Sequence, residues 1–395
     1  MGTCDWGEYQ VKKGNVVLKT KKFKTLSILL VATLALAACQ DDQADSTESA
    51  GSASQTSSTS SNSEEQQTKT DQLSTEYYPS YISDGTYQVN SGAGITAGTS
   101  SQANAENLER GLYDLAKNIF STEDYSIQEG QVIGEDKTIA FLKAQSDENP
   151  EGLNPSGALS ETLDGYEPRY LNSIMEYDVV DQDGNVAGIS IGLGMNYSDT
   201  FNSESETQEF EITSEERIEH GKQMAEKIVS NIRQDEAYAD TPIHVAIFEN
   251  EESGDLGGGT YTTDAVSSSD NTFGDWSTYN QDFVVYDVDD APNEEDTVSF
   301  TRFRDRIQTF YPQLSGLSGV GYYQDNELQN VNIVINSQFD GYSEVIALSQ
   351  QAISTASSVF NNNIEIQIQV VTADGVRALL TRNKDSDTFD YVLVD

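Results

Sequence analysis

The sequence predicts an α+β protein: two subdomains, each with an antiparallel sheet covered by helices, after a lipoprotein signal and a disordered tether. Three observations predict this class. An apolar run that ends at a cysteine lies near the start, a polar stretch follows it, and the order hairpin, helix, strand then occurs twice. We expect a signal peptide at 1–38, a lipidated tether at 39–76, and subdomains at 77–275 and 276–395.

The first segment has the layout of an export signal. Four lysines between positions 19 and 24 precede residues 25–38, which carry no charge. As a helix this run reaches only about 21 Å, which is short of the roughly 30 Å hydrocarbon core. An export signal is therefore favoured over a permanent membrane span. Residues 1–18 look unlike such a signal, so we expect translation to begin later, near Val16 or Val17.

The end of the apolar run predicts lipid attachment. Leu36, Ala37 and Ala38 form the recognition site of lipoprotein signal peptidase, and Cys39 would become an amino-terminal residue carrying a diacylglyceryl thioether with acyl chains such as palmitate. The alternative is an ordinary secretory signal cut at an A-x-A-like site, with Cys39 incidental. The localisation that we expect is the extracellular face of the cell membrane.

Cysteine content and charge exclude several classes of function. Cys4 and Cys39 are the chain's two cysteines, so no thiol remains for a disulfide, a zinc site or a nucleophile after processing. Residues 1–38 hold six basic and two acidic residues, and without them 16 basic and 64 acidic residues remain, a formal charge of −48. Such a chain repels nucleic acid and anionic lipid head groups, so membrane contact would come from the lipid on Cys39.

Residues 40–76 are rich in Ser, Thr, Gln, Asp and Glu, and Leu73 is their one large apolar residue. A segment of this composition cannot bury enough apolar surface to offset the entropy of ordering it. We therefore expect a disordered tether that lifts the folded region off the membrane.

The folded region begins at Tyr77, and periodicity predicts its elements in order. The first half comprises a helix at 105–120, β-like runs at 125–133 and 137–143, a loop at 149–157, a hairpin of 176–180 and 185–192, a helix at 214–233 and a strand at 243–248. The second comprises a strand at 282–288, a helix at 299–311, a hairpin of 320–323 and 329–336, a helix at 342–360 and a strand at 364–371. The order β-α-β-β-α-β predicts a ferredoxin-like second subdomain.

The motifs do not indicate chemistry. His220 and His244 are the only neutral-pH bases, and neither lies in a recognisable catalytic pattern, although a Ser-His-carboxylate arrangement can form in space between distant positions. Residues 181–185, DQDGN, resemble the start of an EF-hand loop, but the later ligands are missing, which favours a turn. Residues 257–259, three glycines, lack the lysine of a phosphate-binding loop. We predict no catalytic residue, no metal and no cofactor.

One basic cluster contrasts with the acidic background. Arg302, Arg304 and Arg306 could together hold an anionic ligand or a partner's carboxylate. The alternative, which the spacing favours, is that they form the polar side of a helix whose apolar side is Phe303, Ile307 and Phe310.

Several features together resemble one family. The lipobox ending at Cys39, the polar tether, NPEGLNP at 149–155 followed by PRYLNSIMEYD, and the terminal FDYVLVD are similar to the CamS-type sex-pheromone-precursor lipoproteins of Gram-positive bacteria. GLNP at 152–155 is the most specific of these motifs.

The resemblance implies that the signal peptide is itself a product. In this family lipoprotein signal peptidase cuts before the cysteine and an intramembrane protease trims the remnant, which releases a short apolar peptide that acts as a mating signal. In this chain the candidate peptide lies within Val31, Ala32, Thr33, Leu34, Ala35, Leu36, Ala37 and Ala38. The alternative is a peptide that has no receptor.

For the mature domain we expect a surface-anchored, non-enzymatic binding or interaction module, and the sequence does not name its partner. Two rival classes stay open. A cell-envelope hydrolase would need a cleft with strongly perturbed carboxylates. A solute-binding lipoprotein would need two doubly wound lobes.

Overall fold

Two six-stranded sheets form the framework of the protein. The computed structural model describes residues 68–98, 100–204, 206–338 and 340–394, and these residues belong to one compact unit. In the first half the elements are α1 (Gln102–Ile119), β1 (Ser126–Glu129), α2 (Glu135–Leu142), β2 (Leu171–Val180), β3 (Val186–Met195), β4 (Ser198–Asn202), β5 (Thr207–Glu211), α3 (Ser214–Ile232), β6 (Ile243–Glu249), β7 (Thr260–Ser267) and β8 (Ser277–Thr278).

The second half repeats this plan with fewer elements. They are β9 (Gln281–Val285), α4 (Glu294–Phe310), β10 (Leu314–Gln324), β11 (Glu327–Ser337), α5 (Tyr342–Val359), β12 (Glu365–Thr372), β13 (Gly375–Arg382) and β14 (Asp390–Leu393). The first sheet has the order β1-β2-β3-β6-β7-β8, and the second has β9-β10-β11-β12-β13-β14.

The two sheets have the same topology. In each, a hairpin leads through a helix to a strand that pairs in parallel with the hairpin's second strand: β3 with β6 and β11 with β12. All other neighbouring strands are antiparallel. The recurrence of hairpin, helix and strand predicted from sequence is confirmed. The expectation of purely antiparallel sheets was wrong, because the connections through α3 and α5 each return the chain to a neighbouring strand in the same direction.

The ferredoxin-like arrangement was also wrong. In a split β-α-β unit another strand lies between the two strands that a helix joins. Here β9 and β10, which flank α4, are hydrogen-bonded to each other, and so are β11 and β12, which flank α5. The element order was correct, but two further strands, β13 and β14, extend the sheet beyond β12. The order of elements along the chain was enough to predict that β10 and β11 form a hairpin. Which other strands lie side by side depends on how the whole sheet packs.

Both faces of the first sheet are covered. Alternate residues of β3, namely Ile189, Ile191 and Leu193, point to one face and form a core with α2 and α3. On the opposite face α1 forms a second core through Leu108, Leu112 and Leu115, together with Tyr177 and Phe248 of the sheet. Each large buried apolar side chain contributes roughly 2 to 3 kcal/mol to this packing.

The second sheet is covered on one face. The helices α4 and α5 lie together on that face, where Phe300, Phe303, Ile307, Leu348 and Ala352 are fully buried. Among the described residues no helix covers the other face, and α1 has no counterpart in the second half. This asymmetry leaves one sheet face free to line a cleft.

Most helices and strands lie where periodicity predicts them, but one segment predicted as a strand is a helix. The helices predicted at 105–120, 214–233, 299–311 and 342–360 are confirmed as α1, α3, α4 and α5. The run at 137–143 was predicted as β-like but belongs to α2, because Thr138, Phe141 and Leu142 are spaced so that all three are buried on one helical face. The start of α3 is fixed by a capping box, in which Thr213 and Glu216 exchange side-chain-to-backbone hydrogen bonds.

The described region begins within the segment assigned to the tether. The backbone N–H of Thr70 donates to the carbonyl of Ser80, and that of Ile82 donates to the carbonyl of Thr68. Backbone pairing of this kind does not need large apolar side chains, so composition does not reveal it.

Candidate functional site

A cleft of about 530 Å³ lies between α1 of the first half and the helix-free face of the second sheet. Its volume is within the range of small-molecule sites, roughly 300 to 1,000 Å³. One wall is the outward side of α1, and the other is formed by side chains of β9 to β13. The cleft is the main candidate site in the described part of the chain, because residues of both halves line it and most of their side chains are polar.

The α1 wall follows from helical periodicity. The leucines of α1 face the first sheet, so Asn107, Arg110, Asp114 and Asn118 face the cleft. The Asn107 amide donates to the carbonyls of Gly257 at 2.8 Å and Gly259 at 3.2 Å, which ties the helix to the loop before β7.

The position of this wall depends on how closely α1 approaches β7. A Cβ at Gly111 would lie 2.7 Å from the Tyr261 ring, so only glycine allows α1 to lie this close to β7. The Tyr261 hydroxyl donates to the carbonyl of Leu108 at 2.7 Å and holds the helix there.

The sheet wall consists of two rows of side chains set by strand register. In the first row Phe283, Tyr322, Asn330 and Glu365 lie opposite one another on β9 to β12. In the second row Asn332, Gln367 and Thr381 lie opposite one another on β11 to β13. Within NVNIVIN, residues 330–336, buried Val331, Ile333 and Ile335 point to one face, and the other face carries Asn330 and Asn332 followed by Val334 and Asn336, since successive strand residues point to opposite faces.

Aromatic side chains form one end of the cleft. The rings of Phe283 and Tyr322 have centroids 5.0 Å apart at 38°. Burial raises the pKa of Tyr322, and the charge of Asp114 raises it further. Burial and the neighbouring Asp264 raise the pKa of Tyr279 to about 12. Both phenols therefore stay protonated at neutral pH and can donate hydrogen bonds.

The cleft carries few charges in a chain of formal charge −44. Three charged side chains face it, namely Arg110, Asp114 and Glu365. Arg382 also contributes to the lining, but its guanidinium donates to the carbonyls of Phe360 and Asn361 on the opposite face of the sheet. Of the amides, Asn330 has an Oδ1 atom that is buried and has no hydrogen-bond partner among the described residues. The site therefore offers unused hydrogen-bonding capacity with few charged groups.

A buried polar chain lies behind the cleft, in the first sheet. The Ser190 hydroxyl lies 2.8 Å from His244 Nδ1, and His244 Nε2 lies 3.0 Å from an Asp264 carboxylate oxygen. Burial by itself would raise the pKa of Asp264, but hydrogen bonds from His244, Tyr279 and Ser277 hold it below its usual value.

This chain contains the residue types of a catalytic triad, but its setting differs. Ser190 and His244 have no solvent exposure, and neither lines the cleft. A nucleophile must reach its substrate, so the geometry fits a structural link between β3, β6 and β7. The second histidine, His220, stacks on the Tyr170 ring with centroids 3.6 Å apart.

Two strongly perturbed carboxyls also lie outside the cleft. Glu176 and Asp178 are fully buried neighbours on one face of β2. The backbone N–H of Ile133 donates to Glu176 at 3.0 Å, and that of Gln131 donates to Asp178 at 2.8 Å. Burial raises the pKa of Glu176 well above its usual range, with a further contribution from the charge of Asp178. Burial raises the pKa of Asp178 to about 6.

The three predicted arginines do not converge on one site. The Arg304 guanidinium pairs with Asp287 and Asp305, and Arg306 donates to the Ser358 hydroxyl at 2.7 Å. Arg302 faces a separate polar pocket of about 380 Å³. Phe303 and Ile307 are buried on the opposite side of α4, which fits the alternative of a polar helix side.

The GLNP motif forms a structural junction. Asn154 is fully buried, and its amide donates to the carbonyls of Leu142 at 2.8 Å and Leu171 at 3.0 Å. Its carbonyl oxygen accepts from the Leu171 N–H at 2.9 Å. One side chain therefore joins the end of α2 to the start of β2, which gives this motif a structural role.

The DQDGN segment is the predicted turn. The Asp181 carboxylate accepts from the backbone N–H groups of Asp183 at 2.9 Å and Asn185 at 2.8 Å, and Gly184 has a φ of +86°. Within residues 68–98, 100–204, 206–338 and 340–394 no group of three His, Cys, Asp or Glu side chains is placed to hold a metal ion. No helix in the same ranges combines the length and apolarity needed to span a membrane.

Two sets of predicted residues lie outside the described part of the chain. They are the lipid attachment residue Cys39 and the segment 31–38, which includes the peptidase recognition residues. The cleft, in contrast, was missed from sequence. The signal that could have found it is the alternation of Asn with Val and Ile along β11, since a strand face open to solvent more often carries charged residues.

Comparison with known proteins identifies relatives of the whole folded region. The family model described as CamS sex pheromone cAM373 precursor matches residues 87–388. The crystal structure of a sex pheromone precursor from Lactobacillus salivarius subsp. salivarius UCC118 is 29% identical; the match covers 83% of this chain and 98% of that chain, with a TM-score of 0.77.

A second solved structure is also similar. The C-terminal domain of the sex pheromone staph-cAM373 precursor from Staphylococcus aureus is 25% identical, over 74% of this chain and 97% of that chain, with a TM-score of 0.65. A comparison with curated proteins gives no significant match.

Proposed function

The chain belongs to the CamS sex pheromone cAM373 precursor family, whose model matches most of its length, and we propose that it is a lipid-anchored surface protein with two products. The first product is a short apolar peptide from the signal, within residues 31–38. The second is the mature domain, held to the membrane through Cys39, which acts as a non-enzymatic binding module.

The sequence before the tether supports the first product. Lysines, an uncharged run, small residues and Cys39 occur in the order that lipoprotein processing needs. Cleavage before Cys39 would leave an uncharged remnant, and trimming it would release a peptide that is apolar enough to fill a receptor groove. Lipoprotein signal peptidase and an intramembrane protease are the processing partners in this proposal.

One observation carries the second product. The two sheets share a topology. In the first sheet α1 covers the face opposite α2 and α3, whereas the matching face of the second sheet has no covering helix and lines the cleft with amide side chains. A sheet face lined by amides and left without a covering helix is suited to binding a molecule from outside the domain.

The rival functions receive less support from the described residues. For a hydrolase, the strongly perturbed carboxyls should line the cleft, but Glu176 and Asp178 are buried away from it. For a solute-binding lipoprotein, both lobes should be doubly wound parallel sheets. Here each sheet contains a single parallel pair.

Mass spectrometry of the membrane fraction and the culture supernatant of producing cells tests the proposal. We expect an acylated amino-terminal Cys39 in the membrane and a heptamer or octamer ending at Ala38 in the supernatant. A Cys39→Ser variant should lose both products, whereas the matched Cys4→Ser variant should keep both. An acylated Cys39 without the peptide would refute the first product, and an unmodified Cys39 in the wild-type chain would refute the anchor.

A further inference from the structure

We propose that the cleft binds a neutral, polyhydroxylated ligand, namely a short oligosaccharide or the end of a glycan chain. This inference rests on the proposed role of the mature domain as a binding module, and it adds the chemical class of the ligand. Hydrogen-bonding capacity, aromatic surface and charge each support it.

The amide rows supply the hydrogen-bonding capacity. A primary amide presents two donors and one acceptor side by side, which matches a sugar hydroxyl that donates and accepts at once. Asn330 and Asn332 lie on β11, and Gln367 lies opposite Asn332 on β12. Neighbouring strands are about 4.8 Å apart, so the three amides can contact successive hydroxyls. The buried Oδ1 of Asn330 lacks a partner among the described residues, and a ligand hydroxyl would satisfy it.

The aromatic end supplies an apolar platform. Phe283 and Tyr322 lie together beside the amide rows, with ring centroids 5.0 Å apart. A sugar ring has an apolar C–H face as well as polar edges, and an aromatic face packs against it without loss of hydrogen bonds. The combination of amides with aromatic rings therefore fits both surfaces of a pyranose.

The charges around the cleft argue against other classes of ligand. One basic and two acidic side chains face it, namely Arg110, Asp114 and Glu365, whereas the whole chain carries −44. An anion would have to approach through the repulsive field of the protein, and a cation would find no carboxylate cluster in the cleft. An apolar peptide would remove water from the amides without replacing their hydrogen bonds, which is unfavourable.

Calorimetry with the exported full chain tests this inference. The probes are chitotetraose, cellotetraose and maltotetraose, together with the synthetic octapeptide of residues 31–38. We expect at least one tetrasaccharide to bind. Asn330→Leu and Gln367→Leu should each weaken that binding about tenfold, or about 1.4 kcal/mol, since each removes hydrogen bonds to the ligand.

The matched control is Gln369→Leu. Gln369 lies on the same face of β12 as Gln367, two residues further along, but does not line the cleft. This substitution should leave binding unchanged, and circular dichroism should show that all three variants are folded.

Each other outcome overturns the inference. Tetrasaccharide binding that is unaffected by Asn330→Leu and Gln367→Leu would place the sugar elsewhere. If the octapeptide binds through these two residues and no sugar binds, the glycan proposal is refuted, but the proposed function as a binding module is supported. Absence of binding by all four probes up to millimolar concentration would refute the glycan proposal. The proposed lipid anchor is tested separately, by the mass of the peptide that contains Cys39.

Discussion

Replacing Asp178 by Asn should stabilise the protein at neutral pH and flatten its dependence on pH. Asp178 lies fully buried beside Glu176, and its pKa is raised from its ordinary value near 3.8 to about 6. Ionising this carboxyl in the folded chain therefore costs about 3 kcal/mol more than ionising it in the unfolded chain. Asparagine keeps the oxygen that accepts from the Gln131 N–H and removes the charge.

The sign of the effect follows from proton binding. Since the pKa is higher in the folded state, the folded chain binds more protons than the unfolded chain between about pH 4 and pH 6. The stabilisation is fully present below the unfolded pKa and is lost as the pH rises through about 6. The raised pKa of Glu176 extends this loss of stability to higher pH.

Urea unfolding of the protein between pH 4 and pH 8 measures the effect. For the wild type, we expect Asp178 to lower the free energy of unfolding by about 3 kcal/mol across the range, and Glu176 adds to this loss. Asp178→Asn should remove the part that Asp178 causes and be more stable than the wild type at pH 7.5. The control is Glu226→Gln on the exposed side of α3, which removes one negative charge from the surface. A variant at Asp178 that keeps the wild-type slope, or that is less stable at pH 7.5, would refute the reasoning.

Three further predictions concern other residues. Asn154→Ala should lower the free energy of unfolding by about 3 kcal/mol, because three buried hydrogen bonds are lost; a loss under 1 kcal/mol in urea would contradict the structural role of GLNP. Thr213→Ala should lower it by about 1 kcal/mol through loss of the capping box; an unchanged midpoint would show that the cap is dispensable. A fluorophosphonate probe should not label Ser190 in the folded chain, because the serine has no solvent exposure. A labelled Ser190 peptide in the mass spectrum would support the rival function of a hydrolase.

The local pattern of the sequence was enough to predict most elements. Hydrophobic periodicity located α1, α3, α4 and α5, the two central hairpins and the strands that follow the helices. It also revealed the repeat, since the same order of elements recurs at low similarity. The error at α2 arose because a short apolar run, TIAFL, suits a buried strand as well as a short helix.

Long-range packing decided what periodicity could not. Which strands become neighbours depends on how α4 and α5 cover the sheet, so the sheet order could not be obtained from the order β-α-β-β-α-β alone. The proximity of Ser190, His244 and Asp264 likewise depends on the pairing of β3, β6 and β7.

The family, the charge, the expected processing site and the types of most elements follow from the amino-acid sequence, because each of these depends on composition or on residues close together in the chain. The position of the amides of β11 and β12 in a cleft follows from the packing of distant elements. Their alternation with Val and Ile shows that they share a strand face, but not whether that face is covered. The cleft exists because α1 covers the first sheet, and its outward side faces the uncovered face of the second.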